Sequence, residues 1–237
     1  MRKAIIVGCT SGIGRALSEV FVAQGYKVAG LARNAEALQE MEQNLNGQFI
    51  GHSLDVRDLD AIAPALDEVA ARLGGVDVCL MAASIARKNA ELEWETEWKV
   101  LQTNVMGYAR VLIWAARYFL RQGHGHLVGI SSLAKYLGGR NPAYTASKAF
   151  EGIYLDGLRL KLERKGIWVT EIMPGFVRTP LTEDQPNVFW AISPQKAARC
   201  IFKAIRKRKR RAVVSLRWKP FRCLIPHLPF ALLKRFL

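Results

Sequence analysis

Short apolar runs alternate with longer amphipathic stretches along most of this 237-residue chain, and no other feature constrains its fold as tightly. Ala4–Val7, Lys27–Ala32, Phe49–Leu54, Val76–Met81, His126–Ser131 and Ile167–Ile172 read as buried strands, with Ala212–Leu216 as a last one. Between them, Gly12–Gln24, Ala35–Leu45, Leu59–Leu73, Glu95–Arg121, Ala143–Arg164 and Pro194–Arg206 read as helices. Strands that alternate with helices need crossover connections, and these produce a parallel sheet covered on both faces. Gly25, Gly75, Gly125 and Gly166 each precede a strand, where a helix must stop and the chain must turn. The expectation is an α/β, doubly wound sheet of about seven parallel strands forming one domain over residues 1–216. Such sheets bind ligands beyond the carboxyl ends of their strands, near the switch in strand order.

Composition removes several other classes. Half of the residues are hydrophobic, enough for a packed core, which excludes a disordered chain. Cys9, Cys79, Cys200 and Cys223 have no close pairing or ligand spacing, which argues against a disulfide framework and against a metal site. The run Ala4–Val7 is too short for a signal peptide, and no stretch of 18 apolar residues exists to span a membrane. A cytoplasmic location is the default expectation. The net charge of +15 is uneven: of 35 Lys and Arg, 14 follow Asp184, and no acidic residue does. The densest run, Arg206-Lys207-Arg208-Lys209-Arg210-Arg211, suits an anionic partner or simply a solvated helix end.

Gly8-Cys9-Thr10-Ser11-Gly12-Ile13-Gly14 follows the first strand and opens the first helix. Glycines there let the backbone approach a diphosphate, and the helix N-terminus offers that anion free N–H groups. A carboxylate at the end of strand two would accept hydrogen bonds from the adenosine ribose of NAD. The stretch Gly30-Leu31-Ala32-Arg33-Asn34 has none there, and the Arg33 guanidinium suits a 2′-phosphate in charge and shape. NADP(H) is therefore the expected cofactor, anchored by Arg33 with Arg15 or Asn34 as helpers.

Tyr144 and Lys148, four residues apart, share one helical face. A phenol titrates near 10 and seldom works near neutrality, but a neighbouring ammonium favours the phenolate. Such a pair can pass a proton to or from a carbonyl oxygen. Strand five ends in Ser131-Ser132, which places a hydroxyl at the carboxyl edge where the tyrosine helix begins. Asn104, a poor helix former inside the long helix, can hold a water connecting the lysine to solvent or be an ordinary polar position.

With these motifs in order, the chain resembles the short-chain dehydrogenase/reductase family from about Lys3 to Thr182, and more loosely to Leu216. The matching pieces are Gly8-x-x-x-Gly12-Ile13-Gly14, Asp55-Val56, Asn104, Ser131-Ser132-Leu133-Ala134, Tyr144-x-x-x-Lys148 and Pro174-Gly175-Phe176-Val177-Arg178-Thr179. The resemblance implies a Rossmann fold and hydride transfer between NADP(H) and a carbonyl or alcohol. Tyr144 is then the general acid/base, Lys148 lowers its pKa and binds the nicotinamide ribose, Ser132 orients the carbonyl and Asn104 holds a relay water. Cofactor contacts are implied at Gly8, Thr10, Ser11, Gly12, Ile13, Gly14, Ala82, Pro174 and Gly175. Asp55 would meet the adenine amino group, Val56 its ring, and Val177 and Thr179 the nicotinamide amide. Small-molecule substrates and a homo-oligomer are implied as well.

Three departures stand out. Met81-Ala82-Ala83-Ser84 replaces the family's Asn-Asn-Ala-Gly, removing side-chain hydrogen bonds that fix the central strands. Ser132 precedes Tyr144 by 12 residues and Ser131 by 13, the commoner spacing, yet the Ser-Ser-x-Ala register selects Ser132. The segment 180–193 is short, with Pro186, Phe189, Trp190, Trp94 and Tyr136 as candidates for an apolar wall. Residues 217–237 form a basic, apolar tail that suits a lid, a dimer contact or peripheral membrane contact. A carbonyl reductase is the favoured reading. The rival is a cofactor-sensing or nucleic-acid-binding protein on the same scaffold, using the 206–211 run.

Overall fold

A computed structural model describes residues 1–136, 138–139, 141–183, 190–218 and 220. Most of the tail 217–237, and the wall candidates Pro186 and Phe189, lie outside the described residues. Seven strands form one sheet: β1 Arg2–Val7, β2 Tyr26–Ala32, β3 Phe49–Ser53, β4 Val78–Met81, β5 Gly125–Ile130, β6 Ile167–Pro174 and β7 Arg211–Val214. Their spatial order is β3-β2-β1-β4-β5-β6-β7, and every pairing is parallel. The order reverses between β1 and β4, where Val7 lies beside Met81.

Residues along each strand point to alternate faces, and the core divides accordingly. Ile5, Val7, Ala29 and Leu31 join Leu66, Val111, Leu112 and Phe119 on one face. Ala4, Ile6, Val28 and Leu80 join Leu17, Phe21, Ile201 and Phe202 on the other. The helices responsible are α3 Leu59–Leu73, α5 Tyr108–Gln122 and α6 Pro142–Leu162 on the first face, and α1 Gly12–Ala23, α2 Ala35–Asn44 and α7 Pro194–Arg206 on the second. Burying one such large apolar side chain contributes about 1.5–3 kcal/mol, so both layers are needed. Gly25, Gly75, Gly125 and Gly166 all have φ between +75° and +158°, a region that favours glycine.

The helix expected over Glu95–Arg121 is interrupted. After α4, Trp94–Leu101, a π-helical turn spans Gln102–Gly107 before α5 begins. At Gly107 this turn packs on backbone: a Cβ there would lie 2.4 Å from the Val56 carbonyl oxygen, in the loop after β3. The basic run also departs from a free cationic stripe. Arg208 lies over the Trp168 ring, Arg210 pairs with Glu163, and Arg211 pairs with Asp156. Among the described residues, no helix is long and apolar enough to cross a membrane. Replacing Gly107 with Ala forces overpacking against backbone. Urea titration should show a loss of about 1–3 kcal/mol with an unchanged slope; an unchanged midpoint would mean that the π-turn gives way freely.

Candidate active site

The glycine turn after β1 is built for close approach. Gly8 has φ +87°, and a Cβ on it would meet the Ala83 nitrogen at 2.4 Å. A Cβ on Gly14 would sit 1.9 Å from the Gly8 carbonyl oxygen. Gly12, with φ +51°, brings the Thr179 methyl to 3.0 Å from where its Cβ would be, so the loop after β6 meets the turn after β1. Ser11 sits at the N-cap of α1 without a side-chain cap, and the first turn carries no acidic residue. The amides there are open to an anion such as a diphosphate. Thr10 is half-buried beside Ser11, and Ile13 packs against the core under α1. These features fit a dinucleotide.

At the edge of β2 and β3, Arg33 is exposed. Asp55 binds the Arg57 side chain at 2.9 Å, and that guanidinium, more than Arg33, holds its carboxyl below the usual range. The expected helpers of Arg33 have other duties: Asn34 accepts from the Ala37 amide as N-cap of α2, and Arg15 pairs with Glu40 at 2.6 Å. Val56 is buried in the core. The Met81–Ser84 departure is compensated by backbone, since the Ala82 and Ala83 amides both donate to the Val7 carbonyl at 2.8 and 2.9 Å. Met81 itself is fully buried.

Tyr144 lies half-buried in the first turn of α6, and the Lys148 Nζ sits 5.5 Å from its ring centre. The two serines part company. Ser131 is buried and donates to Glu171 Oε1 at 2.7 Å, whereas the half-buried Ser132 hydroxyl accepts from the Ala134 amide at 3.1 Å. Asn104 occupies the π-turn and is fully buried. Its amide donates to the Ile85 carbonyl and the Ser147 hydroxyl, and accepts from the Ile85 N–H, at 2.9, 3.0 and 2.9 Å. Both of its N–H donors are thus engaged in clamping the loop after β4 to α6.

Past β6, Pro174 is buried and half-buried Gly175 lies under Trp218, which a Cβ on it would strike at 2.4 Å. Val177 is buried and bridges to Ile192. Trp218 packs edge-on against Phe176 and Trp190 at 5.6 and 5.7 Å. Of the expected wall, Trp190 is therefore part of an aromatic cluster at this edge. Trp94 instead stacks on Trp98, where it is exposed. Tyr136 follows Ser132 in a short 3-10 turn.

Sequence reasoning missed the charges behind this site. Lys148 is buried and donates to both oxygens of Glu151 at 2.9 Å. Glu171, on β6 and fully buried, accepts from Lys135 at 2.6 Å, and Arg211 lies 3.4 Å from its other oxygen. A Cβ on Gly152 would fall 2.1 Å from the Lys135 Nζ, so α6 needs a glycine where this pair passes. The available signals were a carboxylate three residues beyond Lys148 and another inside an apolar strand.

The short chain dehydrogenase family model matches residues 2–187. An uncharacterized oxidoreductase of Myxococcus xanthus is 34% identical over 187 residues, 76% of this chain and 74% of that protein. The 3-oxoacyl-[acyl-carrier-protein] reductase FabG of Escherichia coli is 30% identical over 182 residues, 76% and 75% of the two chains. A solved short-chain dehydrogenase from Sphingobium yanoikuyae in complex with NADPH superposes with a TM-score of 0.83 at 22% identity, over 93% of this chain and 92% of that one.

Burial pushes the Glu151 carboxyl up to about 7, against the opposing pull of Lys148. A group whose folded pKa is raised stabilises the fold below its ordinary pKa and loses that contribution as pH rises through the folded value. Wild type should therefore lose roughly 3 kcal/mol relative to Glu151→Gln between about pH 4.5 and pH 7. Denaturant titrations at several pH values measure this; parallel stability curves would contradict it.

Proposed function

We propose a reaction for this chain from one premise: it belongs to the short-chain dehydrogenase/reductase family. It is an oxidoreductase of the hydride-transferring kind with small-molecule substrates. The finer reading is an NADP(H)-dependent carbonyl reductase, or the reverse alcohol dehydrogenase. The observation that carries it is a buried ammonium 5.5 Å from the ring of a phenol at the carboxyl edge of the sheet.

A bound nicotinamide supplies or accepts the hydride. The amides around Ser11 and the glycines Gly8, Gly12 and Gly14 receive the diphosphate. Arg33 would hold the 2′-phosphate, since the end of β2 offers no carboxylate to a ribose hydroxyl. Asp55 and Val56 serve the adenine, and Ala82, Pro174, Gly175, Val177 and Thr179 line the rest of the dinucleotide. Tyr144 gives the proton to the carbonyl oxygen in reduction and removes it in oxidation. Lys148 favours the phenolate form and reaches the nicotinamide ribose. Ser132 orients the substrate oxygen; Ser131 is favoured less because Glu171 engages its hydroxyl. Asn104 acts by holding the loop after β4 against α6.

A homo-oligomer accompanies this reading. Ile113 and Leu120 on α5 are exposed seven residues apart, as are Ile153 and Leu160 on α6, an apolar face that a second copy can cover.

NADPH oxidation across a panel of ketones and aldehydes should give turnover that exceeds the rate with NADH. Tyr144→Phe should lose at least about 100-fold in kcat while NADPH still binds, and Ser132→Ala should lose more than Ser131→Ala. Full activity of the Phe variant, or a preference for NADH, would remove the assigned proton donor or the assigned cofactor respectively. Light scattering should return a multiple of the chain mass, and the double variant Ile153→Lys, Leu160→Lys a single one; a monomeric wild type would end the oligomer proposal.

A further inference from the structure

The reaction proposed above needs the positive charge of Lys148, yet that charge does not stand alone. Its Nζ is gripped by both oxygens of Glu151 at 2.9 Å, with the Ile130 carbonyl at 3.5 Å, and both side chains are shut away from solvent. A surface i,i+3 pair would be held loosely and screened by water. This one is not, and its geometry decides where the ammonium sits and what field it projects. Attraction from the ammonium favours the Tyr144 phenolate; repulsion from an ionised carboxylate in contact with that ammonium offsets it.

We infer that Glu151 is a positioning residue for the proposed proton transfer: it fixes the Lys148 ammonium in place and, through its own charge state, sets how acidic Tyr144 is. The inference rests on the reading of Tyr144 as acid and base. With Glu151 ionised, Tyr144 faces an ion pair whose field falls off quickly. With Glu151 neutral, Tyr144 faces a full positive charge and is the stronger acid. Burial places the Glu151 carboxyl at about 7, so both states are sampled across the neutral range.

The surroundings of Glu151 favour a carboxylate that changes charge. Lys148 approaches from its own helix. Glu171 from β6 acts on it as a like charge, and Lys135, from the turn after β5, pulls the other way. The buried Tyr108 hydroxyl on α5 feels both carboxylates, as its raised pKa reflects after burial itself. Glu171 is in turn held by Lys135 and Ser131, with Arg211 of β7 at 3.4 Å. One carboxylate of the two is thus surrounded by cations and a hydroxyl donor, whereas Glu151 has Lys148 as its hydrogen-bonding partner among the described residues. Glu151 is the less supported of the pair.

Two measurements test this. The first uses cofactor-free protein labelled with 13Cζ-tyrosine, in which the Tyr144 resonance is identified by its absence from Tyr144→Phe. Its titration midpoint should fall by about one pH unit in Glu151→Gln and stay near the wild-type value in Glu151→Asp, which keeps the charge. The second follows alcohol oxidation with saturating NADP+ against pH. The acidic limb of kcat should move down by about one unit in the Gln variant, making it about fivefold faster than wild type one unit below the wild-type midpoint. If the Gln variant fails to fold, Glu151→Met, of similar volume and without charge, takes its place. A merely structural carboxylate would lower the melting temperature while leaving the Tyr144 midpoint and the limb where they were, and that result overturns the inference. Full turnover by Tyr144→Phe would instead overturn the underlying reading, and the resonance would still report whether Glu151 acts on the phenol.

Discussion

An ammonium shut away from water needs a counter-charge in contact, because the cost of burying it bare runs to several kcal/mol. Lys148 has that partner in Glu151, and the arrangement of the carboxyl edge follows from the need. The pair lies within α6, and Lys148 reaches the sheet through the Ile130 carbonyl at 3.5 Å. Gly152 leaves room for Lys135 to reach a second carboxylate, Glu171, and Ser131 at the end of β5 completes it. The turn after β5, β6 and β7 are therefore tied by charge, through Lys135, Glu171 and Arg211. Removing one partner of such a pair typically costs about 3–5 kcal/mol, since the remaining charge stays buried.

The other half of the edge is held by a different physics. Around β1 and β4 the chain comes so close to itself that Cβ atoms do not fit at Gly8 and Gly14. What faces outward there is backbone: the open amides of α1 and a turn with no acidic residue to compete with an anion. The Thr179 methyl against Gly12 joins this half to the loop after β6, and the Gly175–Trp218 contact carries that loop on to the segment after β7. Open backbone amides thus sit beside β1 and the buried charges around β5, α6 and β6, with β4 between them.

The sequence discloses the sheet because burial on both faces demands continuous apolar runs, and the helices because their spacing differs. Leu59–Leu73 and Pro194–Arg206 have the bounds that their residues suggest. The π-turn over Gln102–Gly107 leaves no periodic trace, since one extra residue per turn shifts the pattern less than Asn104 and Gly107 already blur it. Ser131 and Ser132 are alike as letters and differ only by the alternation that aims one at Glu171 and leaves the other half-exposed. Glu151 escaped notice for a similar reason. A carboxylate near a lysine on a helix usually marks a wet surface, and only the packing of α6 on β6 shows that this one is dry.

The replacement of the polar residues after β4 by Met81-Ala82-Ala83-Ser84 becomes intelligible beside the buried charges. Met81 fills apolar space with no polar group to satisfy, and two backbone amides on the Val7 carbonyl fix the loop instead. The buried charged residues Lys148, Glu151, Arg159 and Glu171 lie on the β5–β6 side, on α6 and β6. Backbone amides and packed methyl groups do not titrate near neutrality, whereas a buried carboxylate near 7 does. A change of pH near neutrality therefore acts on the half of the edge that carries Glu151 and leaves the glycine turn after β1 as it was.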